Sequence, residues 1–146
     1  MSAQSAVIDI TGYKIINKIG EGSYSTVYRV KDKKTEKYYS AKVSKFMIDE
    51  ETKNSPESLS LFREVNLMSL LNHPSVLKFI CYYPTNFNGD PLPTIITELA
   101  LNGSLRDIIN MESRGLAPSE WNHTKKLINI YGIATSMSYL HSHNIL

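Results

Sequence analysis

The sequence predicts an α+β fold: a five-stranded antiparallel sheet with one packed helix, followed by two further helices. Three observations predict it. Short segments rich in Tyr, Val and Ile crowd the chain before Asn102-Gly103, one stretch among them repeats its apolar residues at helical spacing, and after Gly103 only helical spacing remains.

Tyr13 to Ile19, Ser25 to Lys31 and Lys37 to Lys45 read as three successive antiparallel strands, bounded by GEGS after the first and KDKKTE after the second. A meander is their simplest topology. Ser55-Pro56-Glu57 then supplies an N-cap, a proline at the first helical position and an acid in the first turn, so a helix begins there. Leu61, Val65, Met68 and Leu71 form its inner stripe until His73-Pro74-Ser75 ends it. Val76 to Tyr83 and Pro93 to Glu98 make a second strand pair, with Asn88-Gly89-Asp90-Pro91 as the turn between them. Beyond Gly103 come a short helix, Leu105 to Ser113, and a long one from about Ser119 to His141. The long helix carries Leu127, Ile130, Ala134, Met137 and His141 on one side.

With 146 residues and 42% hydrophobic side chains the chain suits one ordinary domain. Lys and Arg number 16 against 14 acids, so no bulk field recruits nucleic acid or an acidic membrane surface. The single cysteine, Cys81, makes no internal disulfide and belongs to no cluster with zinc spacing; a reducing, cytoplasmic setting follows. The opening residues MSAQSAVIDITGY lack a basic and an apolar leader region, and no apolar run approaches the roughly 18 residues of a membrane span. Neither nucleic acid nor membrane is an expected partner.

Gly20-Glu21-Gly22-Ser23-Tyr24-Ser25 follows a strand, and glycines there let backbone N–H groups approach phosphate oxygens. A dinucleotide fingerprint would lead into a helix, whereas this loop leads into the alternating run Thr26-Val27-Tyr28-Arg29-Val30. It is therefore either a flap over a nucleotide or a plain hairpin turn. No Gly-Lys-Ser/Thr follows, which excludes a P-loop. Lys42 stands mid-strand on the face of Ser40 and Ser44, where a charge wants a partner or a route to solvent. Glu64 projects from the edge of the helix stripe toward the sheet, either to meet a cation or to remain a rim carboxylate. The side chains of Lys42 and Glu64 are expected to meet.

Taken together, the glycine-rich loop with Val27 just beyond it, the third-strand lysine, the helix glutamate and HPSVLKF leading into strand four resemble the small lobe of a eukaryotic-type protein kinase. Serine/threonine kinases, including the tyrosine-kinase-like group, are the nearest pattern. The resemblance divides the chain into a tail (1–12), a small lobe and hinge (13–101) and the beginning of a helical large lobe (102–146). It implies that ATP is the cofactor, that Lys42 holds the α and β phosphates and that Glu64 pairs with it. It further implies a phosphate flap at Gly20, Gly22 and Ser23, apolar contacts from Ile19, Val27 and Ala41 around the adenine, a gatekeeper at Thr97, and a hinge at Glu98-Leu99-Ala100 that reads the base through its main chain. Ser25 replaces the third loop glycine, and Ser40 stands where the V-A-I-K pattern has alanine.

The sequence contains no H-R-D, no catalytic-loop asparagine, no D-F-G and no A-P-E. The catalytic aspartate and the Mg²⁺ ligands of a complete kinase are thus expected to be missing, leaving weak ATP binding and no phosphoryl transfer by these 146 residues alone. A noncatalytic kinase-like interaction module is the alternative reading. The long helix's apolar stripe is expected to lack cover and to favour self-association. Blander roles are assigned elsewhere: His141 and His143 end a helix, Cys81 is a small hydrophobe, and the five basic and two acidic residues from Arg29 to Lys37 form a solvated hairpin tip.

Overall fold

Alternation of β-branched and aromatic residues with polar ones drives five segments into strands, and the computed structural model describes residues 10–145. The strands are β1 (Tyr13–Glu21), β2 (Ser25–Asp32), β3 (Tyr38–Ser44), β4 (Phe79–Tyr83) and β5 (Thr94–Glu98). The helices are α1 (Pro56–Leu70), α2 (Leu105–Ser113) and α3 (His123–Ser142). The described residues fold as two compact units, one formed by 10–71 with Lys78–Leu99 and the other by Asn72–Leu77 with 100–145.

In the first unit the sheet is antiparallel throughout, in the order β1-β2-β3-β5-β4. Directly opposed residues of paired strands share a face, so the ladders Tyr28↔Ala41↔Ile96 and Val27↔Lys42↔Ile95 define two opposite sides. The first side is the core: Val30, Ala41, Tyr83 and Ile96 are buried there, with Tyr13, Tyr28, Tyr39 and Cys81 packed around them. Ile10 joins this cluster at 5% exposure from a 3₁₀ turn, Ile10–Gly12. The expected tail therefore ends in a packed turn, while residues 1–9 lie outside the described residues.

The other side receives α1. Its cap forms as the sequence dictates: the Ser55 hydroxyl accepts from the Ser58 amide at 3.2 Å, and Pro56 opens the helix where no amide is needed. Leu61, Val65, Met68 and Leu71 are half-buried along one stripe, and Phe62 lies 6.3 Å from the Tyr82 ring of β4. The β4–β5 connection is organised by Asn86, whose side-chain oxygen accepts from the amides of Asn88 and Asp90 at 2.8 and 3.0 Å. Gly89 takes the left-handed conformation, φ 85°, that this turn requires.

In the second unit α2 matches its expected bounds and is capped by Ser104. α3 starts at His123, four residues later than expected, because Trp121 N donates to Pro118 O in a turn and Asn122 supplies the cap. Glu112 at the end of α2 accepts from Trp121 Nε1 at 3.0 Å and pairs with Lys126 of α3; these partners hold its carboxyl below the usual range. Near the other end of α3, the Tyr139 hydroxyl accepts from Asn72 N at 3.1 Å and its ring stacks on His73 at 5.1 Å. Gly132 leaves room for Ser75, whose hydroxyl would stand 3.1 Å from an added Cβ. Among the described residues no helix is long and apolar enough to cross a membrane.

Candidate functional site

Lys42 Nζ donates to Glu64 Oε1 at 2.6 Å, joining the middle of β3 to the inner edge of α1. Strand alternation puts Lys42 on the α1 side, and helix spacing puts Glu64 at the rim of the stripe that packs there. The pair is more than a third exposed, 37% and 40%, and such pairs contribute about 0–1 kcal/mol to stability. Its consequence is positional: the ammonium is held at one point and keeps two further N–H donors for another acceptor.

The glycine-rich segment forms the β1–β2 hairpin, closed by Gly22 N donating to Ser25 O at 2.9 Å. Neither Gly20 nor Gly22 has a positive φ, and a Cβ at either would meet its neighbours only at ordinary van der Waals distance, 3.8 Å or more. The hairpin itself therefore requires neither glycine, which leaves close approach of a ligand to the backbone as their physical use. Ile19 occupies a β-bulge between Lys18 and Gly20 and is 46% exposed, and Ser23 is exposed at the tip.

The hairpin tip is tied to the end of β3. Lys45 N donates to Tyr24 O at 2.9 Å, Lys45 Nζ donates to Glu21 Oε1 at 2.7 Å, and the Tyr24 and Phe46 rings lie 5.7 Å apart. Glu21 also pairs with Lys18, and hydrogen bonds from Lys18 and Lys45 hold its pKa down at about 2. Tyr24, Ser25, Phe46 and Leu61 join Lys42 and Glu64 around a cavity of about 370 Å³. A second cavity, lined by Gly103, Ile108, Trp121 and Ile128, holds none of the expected site residues.

Register collects the remaining candidates on the Lys42 side. Val27 lies opposite Lys42, and Thr97, 7% exposed, lies opposite Ser40, its hydroxyl donating to Glu98 O at 3.1 Å. Ala41 does not join them. It is fully buried on the opposite face between Tyr28 and Ile96, because side chains alternate along β3, and Ser40 takes its place beside Lys42. Glu98 is exposed and clamps the start of β4, its side chain accepting from Lys78 N at 2.8 Å and its amide donating to Lys78 O at 2.9 Å. Ala100 is exposed and opens the second unit. Sequence reasoning missed Lys45 and Phe46, the tether of the glycine-rich hairpin; their position just past β3 carried no local signal.

A five-stranded antiparallel sheet that pairs a third-strand lysine with a helix glutamate beside a glycine-rich hairpin has the architecture of a protein kinase small lobe, and α2 and α3 fit the start of a large lobe. The sequence model of the protein kinase domain matches residues 13–146, and the chain belongs to that family. It is 32% identical over 138 residues to the serine/threonine-protein kinase RUNKEL of Arabidopsis thaliana, covering 92% of this chain and 8% of that protein. Against the serine/threonine-protein kinase SIK2 of Gallus gallus, identity is 32% over 146 residues, 99% of this chain and 16% of the relative. Against the serine/threonine-protein kinase PLK4 of Xenopus laevis it is 30% over 135 residues, 92% and 13%. The chain thus spans between 8% and 16% of the length of these relatives.

Proposed function

We propose that the first unit binds ATP on the sheet face that carries Lys42, as the nucleotide-binding part of a serine/threonine kinase. The observation that carries this reading is the Lys42–Glu64 pair at 2.6 Å beside a hairpin whose two glycines its own fold does not require. The residues fit the nucleotide chemically. Lys42 keeps donors for the α and β phosphates, Gly20 and Gly22 let the hairpin backbone come close above them with the Ser23 amide as a neutral donor, and Ile19, Val27 and Thr97 flank the base. The main-chain carbonyl of Glu98 reads the adenine edge.

When bound, ATP supplies the phosphoryl group and Mg²⁺ offsets its charge. Among the described residues no three His, Cys, Asp or Glu side chains converge on a metal site. Mg²⁺ therefore enters this proposal as the ion that accompanies ATP, with no ligand assigned. Transfer to a protein serine or threonine, and a cytoplasmic setting, belong to the proposal for the whole protein.

Titration with a fluorescent ATP analogue tests the binding step. Removing the charged donor in Lys42→Met should cost about 1.5–3 kcal/mol, roughly a ten- to hundredfold loss. Gly22→Ala should weaken binding while leaving the melting temperature nearly unchanged, since its Cβ meets nothing closer than 3.9 Å within the fold. A folded chain that binds no nucleotide, or binds it equally after Lys42→Met, would favour the interaction module instead.

A further inference from the structure

The sheet face that carries Lys42 holds a second concentration of positive charge toward the β2–β3 hairpin. Register sets Lys14 opposite Lys31, Lys31 opposite Tyr38, and Arg29 opposite both Asn17 and Ser40, so these side chains share one face. Like charges directly opposed on paired strands destabilise a sheet, yet Lys14 faces Lys31 and, among the described residues, only Lys31 of the two has a carboxylate partner, Glu36.

Arg29 is the less expected member. Its guanidinium lies over the Tyr38 ring, 4.1 Å from the centroid, with Lys31 Nζ 5.9 Å from the same ring. Its Nε is buried without a hydrogen-bond partner. Among the described residues no carboxylate or carbonyl accepts from its terminal nitrogens, and these are not buried. A merely solvated hairpin tip would turn all of its donors into water; here Nε is turned into the protein, so the guanidinium presents only its terminal nitrogens outward. Stacking on Tyr38 fixes the plane of the guanidinium, so its outer edge is a preformed fork for two oxygens.

We propose that Arg29, Lys14 and Lys31 form a docking site for a phosphorylated serine or threonine side chain of a partner polypeptide. Three positive charges against Glu36 leave a local excess of two. A phosphoryl group carries about −1.5 to −2 at neutral pH and matches that excess, whereas a single carboxylate matches half of it. The Arg29 fork takes two phosphoryl oxygens, and Lys14 and Lys31 supply flanking charge. This site stands apart from the nucleotide proposal, since it uses neither Lys42 nor the glycine-rich hairpin.

Fluorescence anisotropy on the full chain, with a short labelled peptide carrying one phosphoserine among alanines and glycines, tests the proposal. The phosphopeptide should bind, the serine peptide should not, and a glutamate peptide should bind at least about tenfold more weakly. Arg29→Gln should weaken phosphopeptide binding by about tenfold or more and Lys14→Gln by about threefold, with Lys78→Gln neutral and added salt weakening binding throughout. A saturating ATP analogue should leave the peptide in place, so this site and the nucleotide site fail independently. Equal binding of the serine peptide, displacement by equimolar inorganic phosphate, displacement by ATP, or an unaffected Arg29→Gln would each overturn the proposal. Should Arg29→Gln fail to fold, undiminished binding by Lys14→Gln, whose side chain is exposed, would overturn it as well.

Discussion

The two units are both rich in large apolar side chains, yet among the described residues every one below a tenth exposure lies in the first. There five strands and a packed turn enclose Val30, Ala41, Tyr83 and Ile96. In the second unit Ile109, Leu127, Ile128, Ile130, Tyr131 and Ile133 are all at least half exposed. The difference is geometric. A sheet presents a broad surface that neighbouring strands and a terminal turn can close, whereas two helices bury only the narrow strips where they touch. The expected stripe of α3 is accordingly open, with Leu127 at 52%, Ile130 at 63% and Met137 at 40% exposure. The half-buried positions of the same helix include the small or polar Gly132, Thr135 and Ser136, with Tyr139 and Leu140 toward its end.

The largest effect should separate the units by core mutation. Ile96→Ala, at a fully buried site on β5, should cost about 2–5 kcal/mol, while Ile130→Ala should change stability by less than about 0.5 kcal/mol. Chemical denaturation can follow both units at once, since the single tryptophan, Trp121, lies in the second and seven of the nine tyrosines lie in the first. Coincident transitions by Trp fluorescence and Tyr near-ultraviolet dichroism would break the comparison.

Glycines sharpen it next. Gly103 sits at φ 70°, so Gly103→Ala should destabilise the second unit by about 1–2 kcal/mol, whereas Gly20→Ala in the first should stay within about 0.5 kcal/mol. Equal shifts in the two melts would show that the first-unit hairpin does need its glycine. Smaller still in stability is Leu127→Glu with Met137→Glu on the open face of α3. These should move folding by less than about 0.5 kcal/mol each but lower the light-scattering mass of a concentrated solution. An unchanged mass would mean that the exposed stripe drives no association.

The smallest effect concerns the tether of the glycine-rich hairpin. The folded-state pKa of Glu21 is depressed to about 2 from 4.5 by its hydrogen bonds to Lys18 and Lys45, so its contribution is complete above 4.5 and fades as pH falls toward about 2. A carbon-detected titration of Glu21 should find the low midpoint, and Lys45→Met should raise it. A midpoint near 4.5 in the wild type would remove the Lys45 tether.

Where a signal is local, sequence and structure agree in detail. Ser55 and Pro56 start α1 at the expected residue because a cap needs only its own next few amides, and α2 obeys its spacing for the same reason. Lys42 and Glu64 met because a period of two along β3 and a period of 3.6 along α1 each fixed one side chain's direction. Ala41 was within reach of the same reasoning: alternation already set Ser40 with Lys42, and carrying it one residue further sends Ala41 to the core. The start of α3 was less accessible, since Ser119-Glu120 after Pro118 has the look of a helix opening that Asn122 in fact supplies.

By itself, the sequence determined five strands and three helices, the cap of α1, and the side of each element on which Lys42 and Glu64 lie, since each is a matter of backbone period and neighbouring residues. Tertiary structure alone decided the partners of high sequence separation. These include the tether of Tyr24 to Lys45 and Phe46, the burial of Ile10, the contact of Tyr139 with Asn72 and His73, and the juxtaposition of Lys14, Arg29 and Tyr38 across three strands. Such contacts depend on register and strand order, which result from the summed packing of a whole face and have no counterpart in any single stretch of chain.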